Sequence, residues 1–401
     1  MNVLFLSLLY HPDAVKESAS LSRTGLQNQA NGYQWALIEG IKNNLRPGET
    51  VSIINALPVG TYPKQYRKLR LQSKTYGEEF VEIGSLNLPV CKQKQRERAA
   101  RWKIERWLEQ SALNRVVVLY SLYLPYLRAA IAVKQRYSGL KVCVVVTDLP
   151  GSLGLSTGRK GLLRAVETRW GSQSMRLASQ MDGFILLTEQ MAQPLSAVHK
   201  KRCVIEGMTA DQGVKPQAIP LPQDTRPAVL YTGTLNRELG IGELLKAFEQ
   251  LPDAQLWLCG KGDMEAQVRD AQTQRGNVYA FGFVPQEQAV YLQSKAELLI
   301  NPRTGAGEYT RYSFPSKTME YMRAGKPVLC CKLDGIPAEY DPYLTYIEPQ
   351  TADGIRDAVQ QMLSRTKTER DGIGRRARAF VVSEKNNIMQ GKKAVDLLRT
   401  L

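Results

Sequence analysis

The feature that most constrains the fold is a repeated alternation of short apolar runs with longer amphipathic stretches. In the first half the apolar runs cover Val3 to Ser7, Val51 to Asn55, Val116 to Tyr120, Lys141 to Thr147, Gly183 to Thr188 and Arg202 to Glu206. Helical periodicity fills the gaps, notably at 27–44, 93–111, 124–137 and 159–180. This alternation is typical of βα units that build parallel sheets. We therefore predict an α/β protein with doubly wound sheets.

The alternation stops at residues 209–229, which contain four prolines and no periodicity, and it restarts from Ala228. A chain of 401 residues is long enough for two domains with separate cores. We predict four segments: a Rossmann-like N-terminal domain at 1–208, a linker at 209–227, a Rossmann-like C-terminal domain at 228–380, and a C-terminal helix at 381–401. Whether this helix folds back across the boundary is left open.

Several classes of protein are disfavoured by composition. The longest apolar runs are far shorter than the roughly 18 residues that a membrane span requires, and the first residues do not resemble a secretory signal. Six cysteines lie scattered without metal-ligand spacing and there are only two histidines, so we expect buried free thiols, no metal site and no bound cofactor. A cytoplasmic location is expected.

The net charge of +16 is concentrated in the first half. Residues 1–200 contain 27 Lys and Arg against 14 Asp and Glu, and the excess is greatest at 64–74, 92–107 and 158–176. Tryptophans and leucines lie between the cations of the last two segments. Such helices suit an anionic membrane surface. A nucleic acid and a solvated face without a partner are the alternatives.

Ligands of open parallel sheets bind beyond the carboxyl ends of the strands, which selects four loops in the second half: 232–240, 259–263, 281–285 and 301–317. All four contain glycine, and three contain a lysine or arginine. The cations in or next to these loops are Arg237, Lys261, Arg303, Arg311 and Lys317. So much converging positive charge predicts a diphosphate ligand.

The segment that begins at Ser316 extends this hypothesis. Ser316 is expected to cap a helix whose first N–H groups bind an anion, with Lys317 adding a full charge. Glu320, one turn inside, would repel phosphate but suits a pair of ribose hydroxyls. The combination predicts a nucleoside diphosphate, although each feature alone is also compatible with an ordinary turn, helix surface or core.

The stretch from Tyr312 to Val328 resembles the signature of retaining GT-B glycosyltransferases, especially glycosyltransferase family 4. The matching residues are Phe314, Pro315, Ser316, Lys317, Glu320, Tyr321, Gly325, Pro327 and Val328. Further matches are LYTGTLNRELGIGELLKAF from 230, LWLCGKGD from 256 and VYAFGFVPQEQAVYL from 278. The resemblance implies the GT-B fold, with two Rossmann-like doubly wound domains facing a central cleft, and a metal-independent transfer of a hexose with retention of configuration.

The resemblance also implies roles for individual residues. Catalytic candidates are Arg303, Lys317 and Glu308, the last in place of a glutamate that the family has where this chain has Tyr312. Candidates for donor binding are Gly233, Thr234, Arg237, Lys261, Tyr312, Ser313, Phe314, Ser316 and Glu320. Thr234 and Leu239 stand where the family commonly has an arginine and a lysine, so Arg237 and Arg303 are candidate replacements. Acceptor-side candidates are Tyr10, His11, Gly25, Asn28, Asn31 and Asp148.

The sequence thus predicts a glycosyltransferase that uses a nucleotide-sugar, with UDP-sugars favoured, and a lipid-linked or polysaccharide acceptor. The basic N-terminal helices are expected to hold it at the inner face of the cell membrane, without nucleic acid as a partner. Two alternatives remain at this stage: a nucleotide-sugar epimerase with the same fold, and a nonenzymatic nucleic-acid-binding protein suggested by the charge.

Overall fold

A computed structural model of the chain describes residues 1–110, 114–150, 162–209 and 214–401, with the side chains of 162–167 left out. The described chain divides into two compact units. The first comprises Met1–Met208 together with Asn387–Leu401, and the second comprises Thr209–Asn386. Each unit is built around its own mainly parallel sheet.

The sheet of the first unit has eight strands in the order β10-β9-β8-β7-β1-β2-β5-β4, and a separate antiparallel pair joins β3 to β6. All neighbours in the large sheet are parallel except β4 and β5. The strands are β1 (Asn2–Ser7), β2 (Thr50–Asn55), β3 (Arg70–Leu71), β4 (Lys74–Tyr76), β5 (Phe80–Glu82), β6 (Ser85–Leu86), β7 (Arg115–Tyr120), β8 (Lys141–Val146), β9 (Gly183–Leu186) and β10 (Lys201–Val204).

The central strands of this sheet are almost continuous runs of valine, leucine and isoleucine because both of their faces are covered. The helices in this part of the chain are α1 (Val15–Leu21), α2 (Asn28–Asn43), α3 (Pro89–Gln110), α4 (Leu124–Lys134) and α5 (Leu162–Ala178). Strand order reverses between β1 and β7, since β2 lies on one side of β1 and β7, followed by β8, on the other. In sheets of this kind the loops at such a switch point form the ligand site.

The sheet of the second unit has six parallel strands in the order β13-β12-β11-β14-β15-β16. These strands are β11 (Ala228–Thr232), β12 (Gln255–Cys259), β13 (Val278–Gly282), β14 (Leu298–Asn301), β15 (Val328–Cys330) and β16 (Thr345–Tyr346). The helices are α6 (Ile241–Glu249), α7 (Glu265–Gln274), α8 (Gln286–Lys295), α9 (Ser316–Ala324), α10 (Ala352–Leu363) and α11 (Lys367–Glu384). The switch point lies between β11 and β14.

The last helix, α12 (Asn387–Thr400), belongs to the first unit, where it packs against α2. Its apolar residues Ala394, Val395 and Leu398 join the main core cluster of that unit. The predicted start of the C-terminal segment at residue 381 falls inside α11, which continues to Glu384. No proline or glycine interrupts the sequence there, so the helix runs on until the irregular residues 385 and 386.

The structure confirms the expected state of the cysteines in part. Cys143, Cys259, Cys330 and Cys331 are buried free thiols, whereas Cys91 is exposed on α3. The described residues contain no helix long and apolar enough to cross a membrane. Within the same residues there is no group of three or more His, Cys, Asp or Glu side chains that could hold a metal ion.

Two of the cations predicted to belong to a basic surface are buried instead. Lys92 and Arg96 lie on the face of α3 that packs inward and are 5% and 3% exposed. Trp102 on the same helix is half exposed, with Lys103 and Arg106 within 5.1 and 5.2 Å of the centre of its ring. The membrane-facing candidates are therefore fewer than the charge count suggests. Residues 158–161 of the third basic segment lie outside the described residues.

Candidate functional site

Three loops at the carboxyl edge of the second sheet are joined through their backbones. The N–H of Gly233 donates to the carbonyl of Cys259 at 2.9 Å, and the N–H of Leu235 donates to that of Lys261 at 2.9 Å. Gly260 continues the chain of bonds to the carbonyl of Gly282 at 2.8 Å. This bonding fixes the glycine-containing loops after β11, β12 and β13 as one surface.

Gly260 is required at its position. Its φ angle is +149°, and a Cβ atom there would lie 1.7 Å from the carbonyl oxygen of Gly233. Any side chain would therefore push the loops after β11 and β12 apart. The sequence allows the motif of Gly260, Lys261 and Gly262 to be a simple turn, and the structure shows that the turn also brings two backbone segments into contact.

Arg303 occupies the loop after β14, beside these three loops at the switch point. Its Nη2 donates to Ser313 Oγ at 2.9 Å, and its guanidinium carbon lies 5.1 Å from the centre of the Tyr309 ring. Its Nε is buried and has no hydrogen-bond acceptor among the residues that the structure describes. A buried donor without an acceptor costs free energy, and an anion bonded to this guanidinium would offset that cost.

Helix α9, Ser316–Ala324, begins at this edge. The predicted cap is wrong, because Pro315 holds the cap position and Ser316 is the first helical residue. Proline fixes the backbone for the first turn but offers no side-chain acceptor. The first N–H groups of the helix are consequently not capped by a side chain, and Ser316 is exposed to solvent.

Lys317 and Glu320 bind each other on the first turns of α9. The distance from Lys317 Nζ to Glu320 Oε2 is 2.9 Å, and both side chains are about one-third exposed. The other carboxylate oxygen accepts a hydrogen bond of 2.7 Å from Gln293 Nε2, and Gln293 is buried on α8. Glu320 is thus oriented from two sides, while Lys317 keeps access to solvent.

Helix α9 is attached to the end of β11 by Tyr321. The Tyr321 hydroxyl accepts from the N–H of Thr232 at 2.7 Å and donates to the carbonyl of Thr232 at 3.0 Å. Burial raises the pKa of Tyr321 well above its ordinary value. Sequence reasoning assigns no role to Tyr321 or Gln293, since each acts through a partner far away in the chain.

The other predicted donor residues have different surroundings. Thr234, Arg237 and Lys261 are exposed in the joined loops, and Lys261 Nζ lies 5.9 Å from the centre of the exposed Phe283 ring. Glu308 is exposed in the 3-10 helix Glu308–Tyr312, which also contains the half-buried Tyr312.

Phe314 does not face this surface. Its side chain is buried, and its ring centre lies 5.2 Å from that of Tyr340 in the core. Arg311, in the same loop, forms an ion pair with Asp334 at 3.3 Å.

The acceptor-side candidates of the first unit form two groups. Tyr10 is buried and donates to the carbonyl of Pro58 at 2.7 Å, while its N–H donates to Asn31 Oδ1 at 2.8 Å. His11 stacks on Tyr76 with a ring separation of 3.8 Å. These residues follow β1. Gly25 lies in an exposed turn, and Asn28 begins α2.

Asp148 is the remaining acceptor-side candidate and follows β8. Thr147 donates to its Oδ2 at 3.4 Å. Burial, together with the negative charge of Asp148, raises the pKa of the neighbouring Tyr120 to about 12, although a hydrogen bond with Thr147 opposes the shift. Tyr120 ends β7, and Asp148 follows the adjacent strand β8, so both lie at the carboxyl edge of the first sheet.

Solved structures of several proteins resemble the whole chain. Sucrose-phosphate synthase from Thermosynechococcus elongatus has a TM-score of 0.65 and 17% identity, over 100% of this chain and 98% of that one. An E. coli structure described as trehalose-6-phosphate bound with UDP-2-fluoro glucose has a TM-score of 0.64 and 10% identity, over 100% and 99% of the chains. WaaG, a glycosyltransferase involved in lipopolysaccharide biosynthesis, has a TM-score of 0.54 and 15% identity, over 99% of both. The chain is therefore a protein of the GT-B fold.

Residues 216–380, which lie in the second unit, are similar to the family model of the group 1 glycosyl transferases. A putative teichuronic acid biosynthesis glycosyltransferase, TuaC from Bacillus subtilis strain 168, is 30% identical over 141 residues. That match covers 35% of this chain and 33% of TuaC, so about a third of the length of this relative is matched.

Proposed function

We propose that this chain transfers a sugar from a nucleotide diphosphate sugar, with UDP as the favoured nucleotide, to a lipid-linked or polysaccharide acceptor. The observation that carries the proposal is the partly unsatisfied guanidinium of Arg303 beside the uncapped start of α9. Both features offer hydrogen-bond donors to an anion. The joined glycine loops bring Lys261 and Arg237 to the same edge of the sheet.

Several features support a nucleotide diphosphate in particular. Lys317 and Arg303 supply positive charge where two phosphates would lie, while Glu320 is held by Gln293 in an orientation that suits hydroxyl donors such as those of a ribose. Among the solved structures of similar fold, one is bound with UDP-2-fluoro glucose. This supports UDP as the first nucleotide to test.

The proposed reaction keeps the anomeric configuration of the sugar. The bond between the anomeric carbon and the diphosphate oxygen breaks, and the acceptor oxygen bonds to that carbon on the same face. The acceptor proton passes to the departing diphosphate. In this scheme Arg303 and Lys317 stabilise the charge that develops on the leaving group, and no metal ion takes part. A trehalose-6-phosphate synthase of similar fold is described as an enzyme of glycosyl transfer with retention, which supports this stereochemistry as the hypothesis to test.

The first unit is proposed to bind the acceptor, with Asp148, Tyr10 and His11 as polar contacts at the carboxyl edge of its sheet. The exposed Trp102 with Lys103 and Arg106 is proposed to contact anionic lipid at the inner face of the cell membrane. WaaG and TuaC, by their names, act in lipopolysaccharide and teichuronic acid biosynthesis, which supports a surface polysaccharide or its lipid precursor as acceptor.

A thermal-shift panel of UDP-, GDP- and ADP-sugars tests donor binding, because a ligand that binds the folded state raises its stability. We expect a UDP-sugar to give the largest shift. Transfer of the labelled sugar to an added lipid-linked acceptor, with NMR of the product linkage, then tests the reaction and its stereochemistry. Interconversion of the donor without transfer would instead identify an epimerase.

A further inference from the structure

A cavity of about 470 Å³ lies in the first unit, among α3, α4, α5 and the loop that follows β7. Its volume is in the range of pockets that hold drug-sized ligands. Much of its lining is apolar, from Val90, Leu122, Leu124, Pro125, Pro150 and Trp170. None of the roles assigned above uses this cavity.

The cavity connects the solvent to the proposed acceptor edge. Ser121 and Leu122, which line it, directly follow Tyr120 at the carboxyl end of β7, and Pro150 lies two residues beyond Asp148. Val90 and Trp170 are 58% and 38% exposed, so the cavity opens to the surface between α3 and α5. A ligand in it would lie at the carboxyl edge of the first sheet.

Two cations, Lys94 and Arg128, lie in the lining of the cavity. Lys94 lines the cavity and forms no ion pair with any residue that the structure describes, and Arg128 lines it with Nη2 bonded to Gln173 at 2.7 Å. Arg128 Nη1 also lies 3.4 Å from Glu97, which is a weak contact. At least one cation at the cavity is therefore available to an anion.

One further cation lies behind the cavity wall. Arg96 is more than nine-tenths buried, and its Nη2 donates to the carbonyl of Leu57 at 2.7 Å. Its Nε is buried without an acceptor in the described part of the chain, and Nη1 contacts the hydroxyl of Tyr123, a lining residue, at 3.3 Å. A buried cation is costly, and the buried carboxylate of Glu82 offsets part of that cost.

We infer that the cavity binds the single apolar chain of a lipid phosphate, with the phosphate near Lys94 and Arg128. The inference rests on the proposed function, since it names the class of the acceptor. Apolar lining stabilises a chain by roughly 25 cal/mol for each Å² of its surface that leaves water. The cavity offers space for one chain, whereas a two-chain phospholipid would leave its second chain outside. The two lining cations, Lys94 and Arg128, match a phosphate and give no reason for a neutral ligand.

The test measures the binding of farnesyl phosphate by calorimetry with the full chain, at concentrations below those at which it forms micelles. Farnesol, inorganic phosphate and vesicles of two-chain phosphatidylglycerol are the comparison probes. Val90→Trp fills the mouth of the cavity at an exposed position, and Val198→Trp is its control, because Val198 is 48% exposed in the same unit and does not line the cavity. Lys94→Gln removes the free cation, and Arg98→Gln one turn along α3 is the control.

We expect Val90→Trp and Lys94→Gln each to weaken farnesyl phosphate binding about tenfold, with both controls unchanged. Farnesol and inorganic phosphate should bind at least tenfold more weakly than farnesyl phosphate. Equal binding by the wild type and Val90→Trp, or by farnesol, would overturn the inference, as would tighter capture of the two-chain vesicles through the same residues. If Val90→Trp does not fold, the binding of farnesyl phosphate by Lys94→Gln tests the inference by itself.

Titration of UDP-sugars in the same samples separates this inference from the proposed function. Normal donor binding without farnesyl phosphate binding would overturn only the assignment of the cavity. Farnesyl phosphate binding without donor binding would support the cavity assignment and count against the proposed donor site.

Discussion

Lys317 Nζ lies 2.9 Å from Glu320 Oε2, one turn apart on the same helix, while Gln293 holds the other oxygen of that carboxylate. In the proposed complex this ion pair would break. Lys317 would turn to the phosphates, and Glu320 would bind the ribose. The ion pair is one-third exposed and therefore weak enough to be exchanged for a ligand.

Glu320→Ala is expected to weaken the binding of the preferred nucleotide by about tenfold to a hundredfold, since hydrogen bonds to a charged group contribute roughly 1.5–3 kcal/mol. Calorimetric titration with UDP measures the change. Glu287→Ala is the control because Glu287 is an exposed glutamate on the neighbouring helix α8. Unchanged UDP affinity in Glu320→Ala would show that the carboxylate does not hold the ribose.

Arg303→Ala and Lys317→Ala are each expected to lower kcat by about a hundredfold or more, because groups that stabilise a developing charge act mainly in the transition state. Steady-state transfer assays measure this loss. Lys246→Ala on α6 is a matched control, since Lys246 is an exposed cation paired with Glu243 away from the glycine loops. If both variants keep wild-type kcat, these cations are not part of the reaction site.

Two glycines on α11 should respond oppositely to alanine. A Cβ on Gly374 would lie 2.1 Å from the carbonyl oxygen of Gly325 at the end of α9, whereas a Cβ on Gly372 has only the tip of Arg376 within 4 Å. Gly374→Ala should therefore lower the free energy of unfolding by about 1–3 kcal/mol, and Gly372→Ala should raise it by up to about 1 kcal/mol. Urea unfolding measures both. Equal effects would show that the contact between α11 and α9 can relax.

Lys92 should make stability depend on alkaline pH. Burial, with a further contribution from the charge of Arg96, lowers the pKa of Lys92 to about 8. Between pH 8 and about 10.5 the unfolded chain retains a proton that the folded chain has lost, so this residue's contribution to stability rises with pH. The unfolding free energy of the wild type relative to Lys92→Met should rise by roughly 3 kcal/mol over this interval.

Denaturant titrations of both proteins at several pH values measure that difference. Lys94→Met provides the control, since Lys94 is exposed on the same helix. A difference that stays constant from pH 8 to pH 10.5 would mean that folding does not lower the pKa of Lys92.

The double variant Lys103→Gln and Arg106→Gln should bind anionic vesicles at least tenfold more weakly, because each cation near such a surface contributes about 1 kcal/mol. Sedimentation with phosphatidylglycerol vesicles at fixed salt measures the binding. Lys246→Gln with Lys367→Gln removes the same charge from the second unit and should have little effect. Equal loss in both double variants would favour a general effect of net charge over a defined surface.

Local chemistry explains what the sequence alone could determine. Apolar runs marked most strands, and the presence of a helix near Ser316 was predictable, with Pro315 and Gly325 flanking α9. The glycine loops and their cations were also visible, since each follows directly from a strand. The positions of Arg303, Lys317 and Glu320 at one sheet edge follow from the rule for parallel sheets.

The contacts between residues that lie far apart in the chain became visible with the tertiary structure. Gln293 reaches Glu320 and Tyr321 reaches Thr232 across 27 and 89 positions of the chain, and no local pattern specifies such pairs. The same applies to Lys92 and Arg96, whose charges suggest a surface although α3 turns them inward, and to α12, which returns to the first unit. Sequence periodicity shows that a helix has an apolar face, but the surface that covers this face depends on packing throughout the folded unit.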